Sequence, residues 1–176
     1  MNRADVLARA RAVRLLILDV DGVLTDGSLY FTARGEEMKR FDVRDGHGVR
    51  MLIEAGVDVA IVSGRSSEAV VRRAEGLGIS EVLQGIDDKL AAVQALLARR
   101  GLRLEDCAAA GDDLPDLPVL RRAALAVTVP DAPAPVRAAA HYVTERAGGR
   151  GAVREVCEFI LDAQGRLDAA LARYLT

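Results

Sequence analysis

From Leu15 almost to the C-terminus, short apolar runs the length of buried β-strands alternate with helix-patterned stretches. The runs are residues 15–20, 57–62, 81–83, 107–110, 125–129 and 142–144, and they are apolar on both faces, as strands covered on two sides must be. Between them, residues 48–55, 67–77, 88–99 and 115–123 carry helical spacing, and Gly56, Gly78 and Gly101 stand where helices end. This alternation predicts an α/β fold, a mainly parallel central sheet with helices on both faces. A length of 176 residues suits one domain with one sizeable core, covering residues 1–176.

One segment breaks the rhythm. From 28 to 43, β-formers flank Ala33-Arg34-Gly35-Glu36, which predicts a hairpin and its turn. Half of the six aromatic residues, Tyr30, Phe31 and Phe41, lie in it. So short a hairpin cannot bury three rings by itself, so it must pack on the body or on another chain. The sequence closes with Ala147-Gly148-Gly149-Arg150-Gly151, read as a flexible basic stretch, and a helical tail to Thr176.

Composition excludes several classes. With 24 basic and 26 acidic residues and no tryptophan, there is neither a basic surplus nor a stacking platform for nucleic acid. The apolar runs are far too short to span a bilayer, and residues 1–14 lack the apolar stretch of a signal peptide. Cys107 and Cys157 match no disulfide or zinc spacing and are expected to be free core thiols of a cytoplasmic protein. Only two of the basic residues, Lys39 and Lys89, are lysines; the rest are arginine.

The charged clusters fall at strand ends, where open parallel sheets place their sites. The first run ends in Asp19-Val20-Asp21-Gly22-Val23-Leu24-Thr25-Asp26. Paired carboxylates there create a negative field that a hard cation such as Mg²⁺ offsets, and Gly22 allows a sharp turn. A capped polar turn is the alternative. The second run ends at Ser63-Gly64-Arg65, where a hydroxyl can hold a phosphoryl oxygen or cap a helix. Lys89 opens a helix, against the macrodipole, so local stability does not account for it. Gly111-Asp112-Asp113-Leu114-Pro115-Asp116 follows the fourth run with three acids in five positions, more than capping explains. Taken jointly, the four clusters share one edge of one sheet.

Asp19-x-Asp21-Gly-x-x-Thr25, then Ser63, Lys89 and Gly111-Asp112-Asp113-x-x-Asp116 resemble the four ordered motifs of the haloacid dehalogenase superfamily. The resemblance implies a Rossmann-like three-layer sandwich and phosphoryl transfer through an aspartyl-phosphate. Asp19 would be the nucleophile and Asp21 the general acid, then base. Mg²⁺ would sit on Asp19, the Asp21 carbonyl and Asp112; Ser63 and Lys89 would hold phosphoryl oxygens, and Asp113 and Asp116 would orient metal water and Lys89. The chemistry favours these types, because an anion attacking a phosphate dianion needs positive charge to neutralise the repulsion.

Nothing between the motifs leaves room for a cap domain, so the chain looks like the capless branch, in which an oligomer supplies the lid. Residues 41–50, Ser63-Gly64-Arg65 and residues 147–157 resemble the 3-deoxy-D-manno-octulosonate 8-phosphate (KDO 8-phosphate) phosphatases. That resemblance covers Arg14 to about Asp168. It implies hydrolysis of a sugar acid phosphate in lipopolysaccharide biosynthesis and a homotetramer whose hairpins pack together and whose tails reach neighbouring sites. Expected around the substrate are Asp21, Asp42, Val43, Arg44, Asp45, Gly46, Arg50, Gly64, Arg65, Arg73 and Lys89, with Arg150 from a partner's tail. His47 and His141 are read as peripheral. The competing readings are a phosphatase of nine-carbon sialic acid 9-phosphates, which Arg65 disfavours, a phospho-acceptor receiver module, whose motif order differs, and a catalytically silent protein of the same fold.

Overall fold

The structure, a computed structural model, describes residues 2–175. Six strands form one parallel sheet: β1 (Leu15–Leu18), β4 (Asp58–Val62), β5 (Glu81–Leu83), β6 (Cys107–Ala110), β7 (Leu125–Thr128) and β8 (Tyr142–Val143), in the order β5-β4-β1-β6-β7-β8. The chain moves outward from β1 through β4 to β5, then returns to the other side of β1 for β6, β7 and β8. Right-handed crossovers in opposite directions place their helices on opposite faces.

Alternate residues of each strand feed two cores. Leu16, Leu18, Val59, Ile61, Ala108, Ala110, Leu125 and Val127 pack against α1 (Arg3–Arg11), α2 (Val43–Glu54), α3 (Glu68–Leu77) and α7 (Ala152–Ala163). Leu15, Ile17, Ala60, Val62, Cys107, Ala109 and Ala126 pack against α4 (Lys89–Arg100), α5 (Leu117–Leu120) and α6 (Ala134–Ala139). Both cysteines are buried and free. No described helix is long and apolar enough to cross a membrane.

The strand readings hold to within two residues at any end. The helices differ more. α2 begins at Val43, not 48, because Asp42 accepts the Arg44 N–H as an N-cap and because Gly46 and Gly48, helix-weakening in isolation, are required by packing. A Cβ at Gly46 would lie 2.0 Å from the Arg73 guanidinium, and one at Gly48 would lie 2.9 Å from the Arg154 Cα. The predicted helix 115–123 is a 3₁₀ turn, Leu114–Asp116, followed by the short α5. The charge-rich N-terminus forms α1, anchored by Val6 and Ala10. His141 is half-buried and its Nδ1 accepts the Ala126 N–H, so burial holds its pKa below the usual histidine value.

The hairpin is β2 (Tyr30–Phe31) antiparallel to β3 (Glu37–Met38). Phe41 packs on the body, but Leu29, Tyr30, Phe31 and Met38 are exposed, so the body does not cover the hairpin. The stretch 147–151 is packed rather than free. Gly148 and Gly149 are buried against the turn after β1, where a Cβ would fall 1.7 Å from the Gly22 oxygen and 2.5 Å from the Thr25 carbon. The segment read as a tail also folds on its own chain: α7 packs against α2, and after α8 (Leu167–Ala172) Arg173 pairs with Glu54 and the Tyr174 ring meets His47 edge-on.

Candidate active site

The carboxyl ends of β1, β4 and β6, neighbours at the centre of the sheet, deliver the charged clusters to one place, as expected of an open sheet at its switch point. Asp19, one residue beyond β1, is tied down by its N–H to the Ala110 carbonyl at 3.0 Å. The following turn uses Gly22 at φ 89°, and Thr25 Oγ1 braces it by accepting the N–H groups of Gly22 and Gly27. Gly22 is also a close-approach position: a Cβ there would lie 2.1 Å from Asp112 Oδ2.

Lys89 is the hub. Its Nζ donates to Asp19 Oδ1 at 2.8 Å and to Asp116 Oδ1 at 2.6 Å, and all three side chains are buried. Burial disfavours the ammonium, but Asp19 and Asp116 outweigh it and hold its pKa above the ordinary lysine value. One carboxylate oxygen each of Asp19, Asp112 and Asp116 fall within 4.8 Å of one another. Asp116 is already committed, because its Oδ2 accepts the N–H groups of Asp112 and Asp113 at 3.1 and 3.2 Å. Burial first, then the Asp116 charge, raises Asp19 to about 6 despite Lys89. Burial, then Asp19, Asp116 and Asp113, raises Asp112 to about 7. This all-oxygen donor set, short of positive charge, fits a hard dication on Asp19 and Asp112.

Ser63 is buried at the tip of β4. Its Oγ accepts the Arg65 N–H at 3.3 Å, leaving the O–H free to donate. Asp113 is exposed and caps Leu114. A cleft of about 480 Å³ opens beside Asp112, lined by Gly22, Asp26, Asp113, Gly148 and Arg150 among others.

At 50% identity, over 95% of this chain and 89% of the relative, the sequence matches the KDO 8-phosphate phosphatase KdsC of Escherichia coli K12. The chain belongs to the KDO 8-phosphate phosphatase family. The profile of the haloacid dehalogenase-like hydrolases, which contain that family, matches residues 76–156. Among solved structures, the KDO 8-phosphate phosphatase of Moraxella catarrhalis, in complex with a magnesium ion, a phosphate ion and KDO, superposes at TM-score 0.97 and 44% identity, covering 98% of this chain and 99% of that one. The cobalt-bound phosphatase of Haemophilus influenzae superposes at 0.88 and 41%, covering 92% of this chain and 94% of that one.

Within one chain, several residues expected around the substrate of this family have other partners. Asp42 caps α2 and pairs with Arg44, whose side chain is otherwise exposed. Asp45 is buried and accepts the N–H groups of Gly151 and Arg154, capping α7; burial still raises its pKa. Arg73 donates to the Asp42 carbonyl and lies over the Phe41 ring, which is why Gly46 carries no side chain. Val43 is exposed, and Arg50 lines a separate surface hollow with His47 and Tyr174. Arg150 sits beside its own chain's cleft, 3.6 Å from Asp26, rather than reaching away. Of the expected arginines, Arg65, next to Gly64, comes to Asp21: its Nε is 3.5 Å from Asp21 Oδ2 and its Nη2 donates to Glu37.

The residues missed in the sequence are Glu37, on β3, and Lys39, just after it. Lys39 Nζ is 2.5 Å from Asp21 Oδ1 and 3.5 Å from Glu37, with its side chain only 2% exposed. The rarity of lysine in the sequence singles out Lys39 and Lys89, but it does not say where Lys39 goes; the structure sets Lys39 against Asp21 and Lys89 against Asp19.

Proposed function

We propose that this chain hydrolyses KDO 8-phosphate to the free sugar acid and phosphate, with Mg²⁺ as cofactor, and that residues 1–176 act as one phosphatase domain. The observation that carries the reading is the buried Asp19–Lys89–Asp116 triad beside Asp112 in a member of this family. Nothing larger than the hairpin lies between β1 and α2 to serve as a cap.

Asp19 supplies the nucleophile. Its free oxygen bonds to phosphorus while the bond from phosphorus to the ester oxygen breaks, and Asp21 gives that oxygen a proton. Water then bonds to phosphorus, its proton passes to Asp21, and the bond to Asp19 breaks, restoring the Asp19 carboxylate and the protonated Asp21. Lys89 and the Ser63 hydroxyl hold phosphoryl oxygens, and Asp116 keeps Lys89 aimed. Mg²⁺, held by Asp19, Asp112 and the Asp21 carbonyl, supplies the positive charge that lets an anion approach a phosphate dianion. Splitting hydrolysis into two displacements eases each step, and the positioned acid contributes about 10²–10⁴-fold.

Arg150, lining the cleft beside Asp112, and Arg65, beside Asp21, suit the sugar carboxylate, since arginine forks match planar anions. The reading includes a homotetramer built on the exposed hairpin face, with neighbouring copies closing the site and supplying contacts that Arg44, Arg50 and Arg73 do not make within one chain. Free thiols are in keeping with a cytoplasmic location. A substrate panel with Mg²⁺ tests the assignment: kcat/KM for KDO 8-phosphate should exceed that for a sialic acid 9-phosphate by at least tenfold, and the reverse order would overturn it.

A further inference from the structure

We propose that Lys39 is a positioning residue for Asp21, fixing Oδ1 so that Oδ2 alone exchanges the proton with the ester oxygen and with water. The inference rests on the phosphatase reading above. Lys39 Nζ lies 2.5 Å from Asp21 Oδ1, whereas the buried Oδ2 has no hydrogen-bond partner. The cation beside Oδ2, Arg65 Nε, is at 3.5 Å, beyond ordinary hydrogen-bond length. Glu37 holds both cations from the other side, taking the Arg65 Nη2 hydrogen at 2.9 Å and standing 3.5 Å from Lys39.

The fold itself does not call for this lysine. Burying an ammonium strips it of its hydration, and β3 is a two-residue strand of an exposed hairpin with no role in either core. The identity of the residue is informative in a chain that otherwise uses arginine. A guanidinium fork engages both oxygens of a carboxylate, whereas an ammonium is a compact point charge that satisfies one. Lysine therefore leaves Oδ2 free for the proton, where arginine would occupy it. The hairpin thus contributes to the chemistry as well as to assembly.

The test compares wild type, Lys39→Met, Asp21→Asn and the double variant. On KDO 8-phosphate with saturating Mg²⁺, K39M should lower kcat about 10–100-fold with KM within twofold, and D21N/K39M should be no slower than D21N. With enzyme in excess over p-nitrophenyl phosphate, whose leaving group needs no proton, release of nitrophenolate by K39M should stay within about threefold of wild type. The proposal is overturned if K39M keeps wild-type kcat, if its loss appears in KM, if the two losses multiply, or if nitrophenolate release slows as much as KDO 8-phosphate turnover. Should K39M not fold, the double variant leaves neither charge unpaired, and a rate below that of D21N overturns the proposal. A wild-type protein inactive on both esters would instead remove the phosphatase reading itself.

Discussion

Lys89 and Asp19, 70 positions apart in the chain, meet at 2.8 Å in a buried ion pair. Asp116 holds the same ammonium from its other side, so one cation balances two carboxylates while Asp112 nearby has none. The charge arithmetic of the site follows from this contact.

Replacing Lys89 with Met should therefore cost stability as well as activity. Removing one member of a buried pair typically costs about 3–5 kcal/mol, because the remaining charge is stranded. At pH 8 without metal, urea denaturation of Lys89→Met should show a loss of that order, and turnover should fall by at least about 10³-fold. A variant as stable as wild type would mean that Lys89 does not carry the charge balance.

Metal binding should depend on pH. The carboxyls of Asp19 and Asp112 are raised to about 6 and about 7, above their unfolded values near 3.8. The fold thus favours their protonated forms. That contribution to stability is complete below about pH 4 and is lost as pH rises through 6 and 7. A dication needs the ionised forms and offsets the loss. Isothermal titration should show Mg²⁺ binding at least about tenfold tighter at pH 8 than at pH 6, and Mg²⁺ should raise the Tm more at pH 8. A pH-independent affinity would contradict the placement of the ion on these two groups.

Gly148 presses on the turn that carries Gly22, with no room for a side chain. Gly148→Ala should displace that turn, lowering stability by about 1–3 kcal/mol as overpacking does and weakening Mg²⁺ binding through Asp112. Thermal denaturation and the same titration measure both. Gly76→Ala, inside α3 where nothing lies within 4 Å of the added carbon, is the control: it should lose no stability, gaining up to about 1 kcal/mol as a helix glycine replaced by alanine, and should leave Mg²⁺ binding unchanged.

The hairpin face carries Tyr30, Phe31 and Met38 in solvent. For the homotetramer proposed above, Phe31→Asp should lower the mass in light scattering from about four times 18.8 kDa to that of smaller species, and should raise KM for the sugar acid phosphate. An unchanged mass would show that this face is not the interface.

The sheet and the charged cluster at its strand ends were legible in the sequence for one physical reason. Buried parallel strands must be apolar throughout, so the residue at which charge first appears, Asp19 or Gly111-Asp112, marks the strand tip where sites form. What could not be read depends on contacts distant in sequence. Gly46 and Gly48 weaken a helix locally but are demanded by Arg73 and Arg154, so the start of α2 was missed. Gly148 and Gly149 look like part of a flexible stretch by composition, yet they are small so as to fit against Gly22 and Thr25. Asp45 looked like a substrate ligand in its motif, and only its pairing with Gly151 and Arg154 reveals a helix cap. Lys39 lies in a hairpin whose register nothing local specifies, so its approach to Asp21 emerged only in three dimensions.

The most direct test of the account is to trap the covalent intermediate. KDO 8-phosphate mixed with a slight excess of enzyme and Mg²⁺, acid-quenched during the first turnover and digested, should give a phosphorylated peptide with the phosphate on Asp19, absent from Asp19→Asn. Rapid turnover with phosphate on another residue, or wild-type activity in Asp19→Asn, would contradict the account.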